Sequence, residues 1–151
     1  MFTSTGTLRY SPKRDSNSQN WWLILDCDPE IGRYYRHLYQ RDTYNCHKLS
    51  RPFWGAHVTL VRNEEPDVEH KHLWDAYAGE AIEFHYCGPV KDNYSKERYR
   101  SFYWVDVFCP RMDEIRKELG LGVPSCGYHL TVGSSENEAR KDWYLTEFRS
   151  G

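Results

Sequence analysis

The chain has 151 residues, 28% charged and 39% apolar, which is ordinary for a globular protein, and its length suits one domain spanning residues 1–151. A formal net charge of −2 and a sequence pI near 6.4 exclude a surface that grips long nucleic acid by counterion release, which needs a strongly basic face. No apolar run reaches the ~18 residues of a membrane-spanning helix, and five cysteines with no Cys-x-x-Cys pair and no leading signal peptide read as reduced thiols of a cytoplasmic protein.

Aromatic residues make up 16% of the chain, twelve of them Tyr and six Trp. Most of these rings are expected in the core, leaving a few to stack on bases.

In chain order, Thr3 to Tyr10 alternates weakly and reads as an edge strand, and Ser11 to Asn20 as a polar loop. Trp21 to Leu25 is an apolar strand bounded by Asp26. Asp28-Pro29 then opens a helix, with Asp at the cap and Pro at the first helical position. Ile31, Tyr34, Tyr35 and Leu38 give that helix one buried face. An irregular stretch from Asp42 to Phe53 leads to Trp54-Gly-Ala-His-Val-Thr-Leu-Val61. Pro66 to Ala78 is helix-compatible through Val68, Leu73, Trp74 and Tyr77, and Ala81 to Tyr86 is a strand that Pro89 ends. Lys91 to Arg100 interleaves basic residues with tyrosines, as a solvated hairpin loop or as a source of a cation or ring for a bound nucleotide. Phe102 to Phe108 is a strand, and Cys109-Pro110 opens a second helix with Met112, Ile115 and Leu119 on its apolar side. Gly120 or Gly122 ends it in the left-handed conformation. Gly127-Tyr-His-Leu-Thr-Val-Gly133 follows.

The order strand, X-Pro helix start, amphipathic helix, His-x-Thr strand therefore occurs twice. It implies two similar lobes about a pseudo-two-fold axis, with the two His strands meeting at the middle. Alternation along a strand puts His57 with Thr59 on one face, and His129 with Thr131 likewise, while Ala56, Val58, Leu60, Tyr128, Leu130 and Val132 face the core.

Two histidines and two hydroxyls in one site fit acid–base chemistry at a phosphate. Imidazole titrates near neutrality, so one ring removes a proton from the attacking oxygen while the other protonates the leaving oxygen. The threonine hydroxyls hold the non-bridging oxygens. No metal or other cofactor is required. His70-x-His72 falls on a helix-compatible stretch, where i and i+2 diverge, and Cys126 with His129 lacks the further ligands of a zinc site.

Paired His-x-Thr motifs, each on a strand closing a strand-helix unit, resemble the 2H phosphoesterase (LigT-like) superfamily over nearly the whole chain. The resemblance implies an α+β fold of two pseudo-symmetric lobes of antiparallel sheet, with helices outside and a central cleft. It assigns catalysis to His57, Thr59, His129 and Thr131, without metal, on cyclic phosphates and phosphodiesters of nucleotides or RNA ends. Within the superfamily, Gly6-Thr-Leu-Arg-Tyr-Ser-Pro12 is similar to the phage anti-CBASS nucleases, which destroy cyclic oligonucleotide signals such as 3′,3′-cyclic GMP-AMP in the host cytoplasm. That likeness implies a base-stacking tyrosine at Tyr10 and an acidic base contact from a C-terminal segment, Glu147 or Glu138. The expected partner is a cyclic di- or trinucleotide substrate, with no long nucleic acid, membrane or obligate protein partner. An RNA-end 2′,3′-cyclic phosphodiesterase and a non-cleaving nucleotide sponge are the alternatives.

Overall fold

The computed structural model of the chain describes residues 1–14, 17–18, 20–44, 48–124 and 126–138. Its elements are β1 (Phe2–Tyr10), β2 (Lys13–Arg14), β3 (Asn17–Ser18), β4 (Trp22–Asp26), α1 (Pro29–Asp42), β5 (His57–Arg62), β6 (Ala81–Asp92), β7 (Arg100–Phe108), α2 (Pro110–Glu118) and β8 (Tyr128–Glu136). Six antiparallel strands close into a barrel in the order β1-β4-β5-β8-β7-β6, while β2 and β3 form a separate small hairpin. That order is its own mirror about the β5–β8 pair: β4-α1-β5 makes one lobe and β7-α2-β8 the other, as the repeated pattern implies.

Both helices begin as read. Asp28 caps α1 by accepting a hydrogen bond from the Glu30 backbone N–H at 2.9 Å, and Pro29 and Pro110 occupy the first turns, where a missing N–H costs nothing. In α2, Met112, Ile115 and Leu119 are buried, and Gly120 takes a φ of +74° just past the helix end. In α1, Ile31 and Tyr35 are buried but Tyr34 is exposed, so the apolar stripe is narrower than the i, i+3, i+4 spacing predicts.

Three expectations are corrected. β1 is no edge: residues from Phe2 to Thr7 pair with β6, and those from Thr7 to Tyr10 pair with β4, so this strand closes the barrel. Gly6 sits where it passes from one partner to the other, and a Cβ there would lie 2.6 Å from the Asp26 carbonyl oxygen. Pro66 to Ala78 forms only a short 3-10 turn, Lys71–Leu73, within a run of turns. Pro89 does not end the sixth strand, because the pairing of β6 with β7 shifts register between Cys87 and Lys91 and the proline falls inside that irregularity.

The core side of the sheet carries Leu8, Leu23, Leu25, Val58, Leu60, Val105, Leu130 and Val132, packed with Ile31, Tyr35, Met112, Ile115 and Leu119 of the helices. A helix about 10–12 Å across with its side chains cannot enter a six-stranded barrel, so the helices lie outside and the opposite, polar face lines a central cleft.

The helices are exchanged between lobes: α1 packs on β8, and α2 on β5. Each His strand bulges one residue after its threonine. The pairing skips Leu60 between Ile24↔Thr59 and Leu23↔Val61, and skips Val132 between Trp104↔Thr131 and Tyr103↔Gly133. A bulge takes a residue out of the ladder, and each bulge carbonyl here accepts from an arginine of the other lobe's helix. Arg116 donates to Leu60 O and Arg36 to Val132 O, both at 2.8 Å. Arg116, only 3% exposed, also donates to Gly122 O and grips Glu64 with two bonds of 2.9 Å.

Arg116→Met strands the Glu64 carboxylate and the Leu60 carbonyl together, so urea unfolding should show a loss of about 3 kcal/mol. Arg33→Ala, which removes an exposed pair with Glu30, should stay within about 0.5 kcal/mol of the parent protein. Equal stability of the two variants would contradict this role for Arg116.

Candidate active site

Residues opposite one another on neighbouring strands share one side of the sheet. β5 and β8 pair with His57 opposite Thr131 and Val58 opposite Leu130, and the same register carried one residue further sets Thr59 opposite His129. Each imidazole therefore stands beside the hydroxyl of the other motif. The two histidines are diagonal neighbours, about 7–8 Å apart at the backbone.

The rows continue across the cleft. Asp26 lies opposite His57 and Asp106 opposite His129, and each aspartate has its own cation, Arg9 at 2.9 Å and Lys91 at 2.6 Å. Read from rim to rim, Arg9–Ile24–Thr59–His129–Asp106 is the pseudo-symmetric image of Lys91–Trp104–Thr131–His57–Asp26. The approach to each histidine repeats too. Gly55 and Gly127 have φ of +74° and +69°, and each donates its N–H back to a proline carbonyl, Pro52 or Pro124. This backbone turn explains a longer repeat in the sequence, Pro-x-x-Gly-x-His-x-Thr, which extends the two His-x-Thr tripeptides by five residues.

The Nδ1–H of His57 donates to the Gly55 carbonyl at 2.8 Å, since a carbonyl can only accept. That leaves Nε2 as the ring nitrogen able to exchange a proton with a ligand. Burial pushes both imidazoles below the ordinary histidine range. In His57 the bond to Gly55 opposes that shift, while in His129 the nearby Arg62 charge reinforces it; Arg62 also acts on His57. Aromatic rings flank both histidines, Trp54 at 5.6 Å from His57 and Trp104 at 5.5 Å from His129.

A cavity of about 430 Å³ opens beside His129, lined by Thr59, Thr131, Arg62 and the Glu64–Arg116 pair and walled by Val123 and Pro124, with His57 outside its lining. Arg62 is a functional candidate that strict alternation misses, since counting from His57 sends it to the core. The Leu60 bulge resets the count and returns Arg62 to the cleft face, opposite Trp22, whose ring lies 5.3 Å from the guanidinium carbon. Its guanidinium has no carboxylate partner among the described residues, and its pseudo-symmetric counterpart Ser134 is bridged to Ser50 instead. Glu64 lines the same cavity and feels the Arg62 charge, but both its oxygens are held by Arg116, which leaves the Arg62 guanidinium open to an anion there.

A family model described as the Swiss Army Knife 2H phosphoesterase domain matches residues 29–139. The chain belongs to the 2H phosphoesterases. No curated protein and no solved structure matches it. Membership makes phosphodiester hydrolysis the general activity, and both His-x-Thr motifs fall inside the matched span.

In this 2H phosphoesterase His57, Thr59, His129 and Thr131 come together, but Tyr10 does not join them. It points to the core side, paired with Leu23, while its neighbour Arg9 takes the cleft side. It is 9% exposed, edge-on to Trp74 and a hydrogen-bond acceptor for the Tyr77 N–H, and burial pushes its hydroxyl up to about 12. A one-residue difference in register is a change of face, so Tyr10 offers no ring to a ligand. Glu138 is exposed just beyond β8, and Glu147 lies outside the described residues. In the basic, tyrosine-rich stretch, Lys91 is tied to Asp106, and Tyr99 and Arg100 both reach Glu136. His70 bonds Asp67 at 2.5 Å, and among the described residues no three His, Cys, Asp or Glu side chains converge as a metal-ligand set.

These electrostatics predict that an NMR titration finds both His57 and His129 protonating below about pH 6.5, the model-peptide value. Arg62→Gln removes a positive charge that disfavours both imidazolium ions, so both midpoints should move up. A midpoint above 6.5 for either ring, or no movement in the variant, would contradict the assignment.

Proposed function

We propose that this 2H phosphoesterase cleaves the 3′,5′-phosphodiester bonds of cyclic di- and trinucleotides, such as 3′,3′-cyclic GMP-AMP, without a metal. The observation that supports the reading is the crossed register of the two motifs, which brings two imidazoles and two hydroxyls together on one side of the sheet.

In the first step the neutral Nε2 of one histidine takes the proton of the ribose 2′-hydroxyl. The 2′-oxygen attacks phosphorus, the bond to the 5′-oxygen breaks, and the other histidine, in its protonated form, delivers its proton to that leaving oxygen. A 2′,3′-cyclic phosphate and a free 5′-hydroxyl result. In the second step the roles reverse: the histidine that has lost its proton activates water, and its partner protonates the departing 2′-oxygen, leaving a linear 3′-phosphate. Thr59 and Thr131 donate to the non-bridging oxygens, and Arg62 offsets the charge that develops there.

Three features favour a small substrate over a long strand. The cavity is about 430 Å³, the unpaired cation beside it is a single guanidinium, and the net charge is −2. The similarity of residues Gly6 to Pro12 to anti-CBASS nucleases supports a role in erasing a host antiphage signal in the cytoplasm, with Tyr10 acting there through the core alone.

The test is digestion of 3′,3′-cyclic GMP-AMP and a cyclic trinucleotide in excess EDTA, with chromatographic identification of products. Linear oligonucleotides ending in 3′-phosphate are expected, and His57→Ala or His129→Ala should each slow the reaction about 10²–10⁴-fold. Intact cyclic substrate beside cleavage of RNA ending in 2′,3′-cyclic phosphate would move the activity to RNA ends. Stoichiometric binding without cleavage would make the protein a sponge, and activity abolished by EDTA and restored by zinc would overturn the metal-free mechanism.

A further inference from the structure

The two rows of the cleft match position for position except at one pair. Ile24 and Trp104 are equivalents: Ile24 faces Thr59 across the sheet, and Trp104 faces Thr131. Their surroundings differ in a way that changes what each can do. Ile24 is 0% exposed. Trp54 touches Trp22 at 5.5 Å and His57 at 5.6 Å, residues on either side of the Ile24–Thr59 pair, which sets its ring across that row. The residue equivalent to Trp54 in the second lobe is Cys126, one position before the equivalent left-handed glycine. A thiol is too small to span a row. Trp104 is accordingly only half-buried, and among the described residues its one ring partner is His129, 5.5 Å away and tilted by 41°. On its other side Lys91 is drawn off to Asp106.

We propose that Trp104 is a nucleobase-stacking platform, taking the base of the nucleotide whose phosphate lies between the two His-Thr pairs. The inference rests on the phosphodiesterase reading for the place of the phosphate. Trp104 borders both Thr131 and His129, so a phosphate held by those residues places its ribose, and the base beyond it, over the indole. Indole accepts any base through its π-face, so the subsite confers affinity for nucleotides without strong preference among bases. The site then has a polarity that its backbone symmetry lacks: the first lobe's row is sealed by Trp54, and the second lobe's row is open at Trp104.

The experiment is isothermal titration of the whole protein with 3′-GMP, 3′-UMP and ribose 3-phosphate, which share the phosphate and differ in the base. In the parent protein both nucleotides should bind about 10- to 100-fold more tightly than ribose 3-phosphate. Trp104→Leu, which keeps apolar bulk in the sheet, should abolish that difference, and Trp104→Phe should retain most of it. Equal affinity for nucleotide and sugar phosphate in the parent protein, no binding of any of the three, or a base-dependent gain that survives in Trp104→Leu would overturn the proposal. Base-dependent binding without turnover of any phosphodiester would instead sink the catalytic reading and leave the platform standing. Turnover without base-dependent binding would do the reverse.

Discussion

The site depends on two crossed hydrogen bonds, from Arg36 to the Val132 carbonyl and from Arg116 to the Leu60 carbonyl. A bulge buried against a helix needs a donor from outside the sheet. Each lobe's helix supplies that donor to the other lobe's His strand, so neither half can set its own geometry alone. The exchange also explains why the two His-Thr pairs sit at the junction. α1 packs on β8 and α2 on β5, and the short pairing of these two strands, His57 opposite Thr131, is where the two lobes meet.

Around that junction charged groups are satisfied in pairs, with two exceptions on the cleft face. Asp26 and Asp106 each face a histidine yet are tied to Arg9 and Lys91, so neither leaves an uncompensated negative charge that would lock an imidazole in its protonated state. Burial then favours the neutral rings, which suits groups that must give and take a proton in turn. Arg62 breaks the pattern as a cation with no carboxylate ion pair among the described residues, and Trp104 breaks it as a half-exposed ring where the matching row has the buried Ile24. Both departures lie on the cleft face of the sheet, Arg62 opposite Trp22 and Trp104 opposite Thr131.

Much of this was legible in the sequence. The alternation of Ala56, Val58 and Leu60, and of Tyr128, Leu130 and Val132, assigns the core face correctly because each of these runs precedes or ends at its bulge. Asp28-Pro29 and Cys109-Pro110 mark helix starts because the missing proline N–H fits only there. Arg62 was hidden because a bulge inverts parity and leaves no mark in the residue pattern. Tyr10 was misplaced because family likeness, unlike alternation, does not say which face a residue takes; Leu8 and Tyr10 share the core parity. The stretch from Pro66 to Ala78 carries apolar residues at helical spacing, yet Leu73, Trp74 and Tyr77 pack on the core from a series of turns.

The central claim is that both motifs act on one phosphate. A crystal structure with a nucleoside vanadate, a mimic of the five-coordinate phosphorus, tests it most directly. One vanadate is expected in the cleft, with oxygens within hydrogen-bond reach of both His57 and His129 and of both Thr59 and Thr131. A vanadate held by one motif alone, with the other histidine out of reach, would contradict it.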